Sequence, residues 1–326
     1  MLRLVFLLLP LLSWSGAAWG VTVADATGRS VAVPEPISRV LPAGLPAAIL
    51  LAAVAPDLMF GWPSSLSDKA RALLAPEAQN LPQVPRLTGR DNVIDKLAAL
   101  KPDLILDYGT VSPRYADLAK ATQQRTGIPT VLLDGSLLEI PRALRVLGNV
   151  LHRQERAETL ARFSEALLAL PQRPATSLRV VCARGLDALT VVVPGSDLAE
   201  TFARAGWQIV APKGEGPSRA ATMADIRALD PDVIVFTDPA MRTALAESKA
   251  WRSLRAVREG HAFVAPSLPF GWIDEPPSIN RLLGLAWLGG SDRRTLATLF
   301  NAVIYGRALT APQADAVVAG AHSTQP

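Results

Sequence analysis

Apolar and polar residues alternate from Val21 to Pro34, VTVADATGRSVAVP, on either side of a turn at Asp25–Gly28. A period of two broken by a turn predicts a β-hairpin. The next run, ISRVLPAGLPAAILLAAV, reads as a buried strand end at Arg39–Leu41, a loop at Pro42–Pro46 and a helix over Ala47–Val54. One pattern then occurs twice, as IDKLAALKPDLILDYG (Ile94–Gly109) and MADIRALDPDVIVFTD (Met223–Asp238). Each copy has a short amphipathic helix, a Pro-Asp corner and an apolar β-rich run. Pro102 and Pro231 stop the helices, and Asp103 and Asp232 suit the turns. LILDYG and VIVFTD read as buried parallel strands. Each leads into a helical stretch, Arg114–Thr126 and Ala240–Val257, and then into a further β run, PTVLLDG and HAFVAP.

Two sets of strand–helix–strand units predict two doubly wound α/β lobes with parallel-rich sheets. Between them, Leu138 to Leu170 is almost wholly helix-compatible, with Leu160, Phe163, Leu167 and Leu168 on one face. The expectation is one long α-helix joining the lobes, a stiff connector that limits hinge closure to small rotations. The expected division is a leader over 1–20, a first lobe over 21–137, a linking region over 138–171, a second lobe over 172–308 and a tail over 309–326. Within the second lobe, LRVVCARG is a strand, Ser196 or Asp197 caps a helix, and Gly206 ends it. PPSINRLLGLAWL is a helix with Pro276 or Pro277 in its first turn.

Composition agrees with a folded two-domain protein: 326 residues, 49% hydrophobic and 19% charged. Net charge is +4, and no basic run appears, which argues against nucleic acid as a partner. The first twenty residues change the picture. Arg3, a short apolar stretch containing Pro10, and small residues ending in Ala18 and Gly20 make a secretory signal peptide. The apolar stretch is too short to span a membrane. No cysteine stands near the expected cut, which argues against a lipid anchor there. The mature chain is expected free in the periplasm, as a monomer. Its single cysteine, Cys182, lies in a β-like run and reads as a small buried apolar residue.

Enzyme chemistry finds little support. The three histidines, His152, His261 and His322, are scattered, and HxxxH, CxxC, GxSxG and the phosphate-binding glycine loop are all missing. No cofactor is called for. The loops at the carboxyl ends of the strands are more informative, because doubly wound lobes bind ligands there. Tyr108, Tyr115, Phe270 and Trp272 supply aromatic faces to such a cleft, and Arg114 and Arg184 supply forks for anionic oxygens. Each also has a plain structural reading. Tyr115 packs a helix start, Arg184 is solvated, and Trp272 rests on Pro276–Pro277.

Five stretches resemble periplasmic substrate-binding proteins of iron-complex ABC importers, which take ferric siderophores, haem or cobalamin and count oxyanion binders among their relatives. They are VTVADATGRSVAVPEPISRVL, the paired LKPDLIL and LDPDVIV, PGSDLAETFARAGWQIVA and VREGHAFVAPSLPFGW. The resemblance covers Val21 to about Gly290. It implies two lobes bridged by a long helix, a shallow interlobe cleft and an iron chelate as ligand, a ferric siderophore first. It also implies an ABC importer permease as partner, docked through an acid on each lobe. In the first lobe that position holds Asp95. In the second it holds Ala224, with Asp225 beside it. The same resemblance puts Phe270 and Trp272 at the cleft. The reading from another class is an exported two-lobe hydrolase, which a buried acid–base pair in the cleft would favour.

Overall fold

The computed structural model describes residues 20–170 and 178–318. The leader, apart from Gly20, and the end of the tail lie outside the described residues, as does 171–177. Among the described residues no helix is long and apolar enough to cross a membrane.

The hairpin expected at the start is β1 (Val21–Ala24) against β2 (Ser30–Val33), antiparallel. The first lobe's sheet is parallel, in the order β3 (Val40–Pro42), β4 (Leu104–Gly109), β5 (Thr130–Asp134). The second sheet has β6 (Arg179–Arg184) at its centre. β10 (Val233–Phe236) pairs parallel on one side of it, with β11 (Ala262–Val264) beyond. The other edge of β6 is shared. β8 (Gln208–Ile209) runs parallel at its start, and β7 (Thr190–Val192) runs antiparallel at its end, followed by β9 (Ser218–Ala220). Strands that are buried on both faces explain why LILDYG and VIVFTD are almost continuously apolar.

The repeated Pro-Asp corner does the same work in both lobes. Asp103 accepts from the backbone N–H of Ser38 and Arg39, fixing the chain as it enters β3. Asp232 accepts from the backbone N–H of Arg179, the first residue of β6. Each corner therefore sets the register of the neighbouring strand. At the far end, β4 and β5 close so tightly that a Cβ on Gly135 would lie 2.6 Å from the Cα of Gly109. This brings the strand-end loops of the first lobe together.

The linking segment is helical, but it is two helices instead of one. Ile140–Val150 and Gln154–Leu168 are separated by a reversal in which His152 is left-handed, with φ 53°. The Arg153 N–H donates back to the Gly148 carbonyl at 2.7 Å, the six-to-one bond of a Schellman-type stop. The helices then cross so closely that a Cβ on Gly148 would strike that of Ala157. The first helix belongs to the first lobe, and only Gln154–Leu168 leads toward the second. The break was hidden because the left-handed position is taken by a histidine, where glycine is the usual signal.

Beyond Leu268 the chain leaves the second sheet. The helices Arg281–Leu288 and Arg293–Ile304 pack against Gln154–Leu168. Asn301 donates to the Leu73 carbonyl, and Ser278 to that of Pro46. Phe270 stacks near Trp62 at 5.8 Å and Tyr305 at 6.0 Å. This C-terminal run shares one large apolar core with the first lobe and the linking helix. The helix Ala311–Val318 lies against Arg293–Ile304.

Candidate functional site

A cavity of about 520 Å³ lies where the carboxyl ends of the first lobe's strands face the second lobe. Its first wall comprises Ala43–Pro46 after β3, Asp107–Thr110 at the end of β4, Tyr115 in the following helix, and Arg86. Its second wall is Arg184, the last residue of β6, with Asp274–Pro277. Strand ends in a parallel sheet leave exactly such a crevice, because the chain turns away from them into helices.

The cavity is charged on both sides. Arg184 Nε lies 2.5 Å from Asp274 Oδ2 and 3.6 Å from a Glu275 oxygen. The closer contact is out of line for a hydrogen bond, so it is an ion pair held by charge. Asp274 is buried, and its other oxygen accepts the Glu275 N–H at 2.7 Å. Burial pushes the Glu275 carboxyl up; Arg184 opposes this, while Asp274 and Asp238 add like charge. Burial likewise pushes Asp107 up, against a hydrogen bond from the Tyr108 N–H and the field of Arg86. Arg86 is exposed and has no ion pair within 4 Å among the described residues.

The residues expected at the site divide three ways. Tyr108, Tyr115 and Arg184 line the cavity. Tyr108 is only 2% exposed, its hydroxyl has no partner among the described residues, and burial raises its phenol well above the usual range. Tyr115 is 38% exposed at the mouth. Arg114 stands outside the lining, its guanidinium 5.9 Å from the Tyr115 ring centre. Phe270 and Trp272 correct the expectation: they are core residues, 4% and 0% exposed. Trp272 Nε1 donates to the Leu268 carbonyl at 3.2 Å. The loop expected to reach the cleft does reach it, but with Asp274 and Glu275, while its rings turn into the shared core. Asp107, Asp274 and Glu275 were legible as acids interrupting apolar runs or preceding prolines; Arg86, in an ordinary loop, carried no signal.

Asp95 lies on the helix Asp91–Ala99, 64% exposed, and Arg125 forks onto it at 2.9–3.1 Å while also touching Asp91. Asp225 is the third residue of the helix Met223–Leu229 and completes a capping box with Thr222. Those hydrogen bonds hold its carboxyl below the usual range.

Behind the cavity a second arginine ties the lobes. Arg281, 1% exposed, reaches Glu200 and the Asp197 carbonyl, each at 3.1 Å, and donates to the Gly135 carbonyl. Glu200 also accepts the Leu137 N–H at 2.8 Å, and Thr110 donates to Asp197. A larger hollow of about 770 Å³ is an open groove within the second lobe, and among the described residues Arg179 is its only charged side chain. It lacks the converging charges of the interlobe cavity. Among the described residues no group of three or more His, Cys, Asp or Glu is placed to hold a metal ion.

Comparison with known proteins places this architecture. Residues 46–268 match the model of a periplasmic binding protein family. No curated protein matches the sequence. Among solved structures, an ABC transporter solute binding protein from Sulfurospirillum deleyianum is 22% identical, with a TM-score of 0.79 over 91% of this chain and 98% of that one. The molybdate periplasmic binding protein MolA of Haemophilus influenzae, bound to molybdate, is 18% identical, with a TM-score of 0.69 over 89% and 99%. A protein of an Fe3+-hydroxamate ABC transport system from Saccharomonospora viridis is 18% identical, with a TM-score of 0.59 over 84% and 100%. At these identities the likeness is one of fold, and the named neighbours are transport proteins, not enzymes. The chain belongs to the periplasmic binding protein family.

Proposed function

We propose that the protein captures a compact metal chelate, an iron complex of siderophore type, in the interlobe cavity and delivers it in the periplasm to the permease of an ABC importer. The observation that carries this reading is the cavity itself, about 520 Å³ with charged groups from both lobes. That lies within the roughly 300–1,000 Å³ of small-molecule sites and is far more than a bare tetrahedral oxyanion fills. Among the described residues no histidine lines it, which weighs against axial haem ligation by histidine. The many bonds through Arg281 favour small closure over a wide hinge.

Asp95, with Asp91 beside it, is the first-lobe candidate for permease docking. Asp225 is the second-lobe candidate; its carboxylate accepts from Thr222, as that of Asp95 accepts from Arg125. The raised carboxyls Asp107 and Glu275 are the feature a hydrolase would show. A family of binding proteins and the lack of a paired base in the cavity favour the carrier.

Native mass spectrometry of the protein taken from the exported fraction tests the reading. The expected result is a one-to-one adduct with an iron isotope signature. A folded, empty protein that also takes up no added chelate would overturn it.

A further inference from the structure

Given the carrier reading, the chemistry of the cavity narrows its cargo. We infer that the cavity is built for a chelate with no net negative charge, of ferric trihydroxamate type, and discriminates against anionic chelates and free oxyanions. Asp107, Asp274 and Glu275 share the lining with Arg86 and Arg184, a formal excess of one negative charge.

The two signs are also disposed differently. Arg184 is already committed to Asp274 and Glu275. Arg86 is exposed, where water screens it. Glu275 is exposed as well, but Asp107 is half-buried and Asp274 is buried, so the less screened charge of the lining is negative. Among the described residues the only hydrogen bond to the Asp107 side chain comes from the Tyr108 N–H, and Glu275 shares one guanidinium with buried Asp274. A half-buried carboxylate with a single hydrogen bond, as at Asp107, favours an incoming cation or a hydrogen-bond donor and disfavours an anion.

The backbone fixes where Glu275 stands. Glu275 holds φ 65°, a left-handed conformation that glycine or asparagine would take at less cost. Close packing beneath enforces it: a Cβ on Gly271 would strike the Asp274 carbonyl, and Asn280 donates to the Gly271 carbonyl. Strain of this kind persists where surrounding structure imposes it, and it clusters at ligand sites. Here its result is an acid at the cavity wall.

Hydroxamates lose one proton apiece and so cancel the ferric charge, and an amine tail makes the complex cationic. Catecholates lose two apiece and leave a trianion. Calorimetric titration of the purified protein with ferrioxamine B (cationic), ferrichrome (neutral), ferric enterobactin (trianionic) and molybdate separates these classes. The expected result is that ferrioxamine B or ferrichrome binds at least about tenfold tighter than either anion. Glu275→Gln and Asp107→Asn, both isosteric, should each weaken ferrioxamine B by about tenfold and leave ferrichrome nearly unchanged. Tighter binding of enterobactin or molybdate, or indifference of ferrioxamine B to both substitutions, would overturn the charge inference and leave the carrier standing. Failure of all four ligands to bind a folded protein would instead count against the carrier reading.

Discussion

Two arginines meet acids between the lobes, and they differ in what surrounds them. Arg281 is sealed from water and holds a carboxylate and two backbone carbonyls drawn from both lobes. Arg184 stands at the wall of the cavity and shares itself between Asp274 and Glu275. Enclosure turns the first into a structural tie. Access to the cavity leaves the second open to adjustment by a ligand. The same pairing of charges thus holds the lobes together in one place and sets what may enter in the other.

Removing the tie should have the largest effect. Arg281→Ala strands Glu200 without its cation and is expected to cost about 3–5 kcal/mol of stability in denaturant unfolding. A loss as small as that of an exposed pair would break the contrast. Trp272→Ala is expected to cost a similar amount, about 3–5 kcal/mol, as a large ring lost from a close-packed core. Ligand affinity of the folded fraction should be unchanged; a specific affinity loss would return Trp272 to the cleft.

At the other arginine the effect should change sign between the two readouts. Arg184→Met should lower stability by about 1–3 kcal/mol, because buried Asp274 loses its partner. It should also tighten ferrioxamine B severalfold by leaving the acids unopposed, which titration measures. Weakened binding would mean that Arg184 itself grips the ligand.

A smaller change should follow pH. Asp107 and Glu275 both protonate above their ordinary values of 3.8 and 4.5. For these raised carboxyls, the contribution to folding is present below those values and is lost as pH rises through the folded pKa. Affinity for a cation runs the other way, since it needs the charged form. Glu275 is faced by Arg184, Asp274 and Asp238, and Asp107 by Arg86; ferrioxamine B binding should decline on acidification at a pH above 4.5, as Glu275 takes up its proton. Affinity flat down to that pH would show that Glu275 does not meet the ligand. The smallest effect is at the cap: Thr222→Ala should cost about 1 kcal/mol in thermal unfolding and leave affinity untouched.

The parts of the fold that repeat in sequence were also the parts that could be read from it. Period-two alternation marks β1 and β2, and the paired Pro-Asp corners mark β4 and β10, because each follows from local backbone and burial rules. The break at His152 was not legible, since helix-compatible residues continue through it and only tertiary packing selects the left-handed turn. Phe270 and Trp272 show a second limit. Sequence places an aromatic in a loop, but which side of the loop faces the core depends on Trp62, Tyr305 and Leu268. The carboxylates beside them were visible as residues and not as a wall, because Asp107 and Glu275 converge across more than a hundred positions.

Hydrogen exchange read by mass spectrometry, with and without the chelate that the exported protein carries, tests the central claim most directly. If the interlobe cavity is the binding site, amides at Gly44–Leu45, Asp107–Thr110 and Asp274–Glu275 should slow on binding, and the groove at 194–211 should not change. Protection confined to 194–211, with the interlobe loops unaffected, would contradict it.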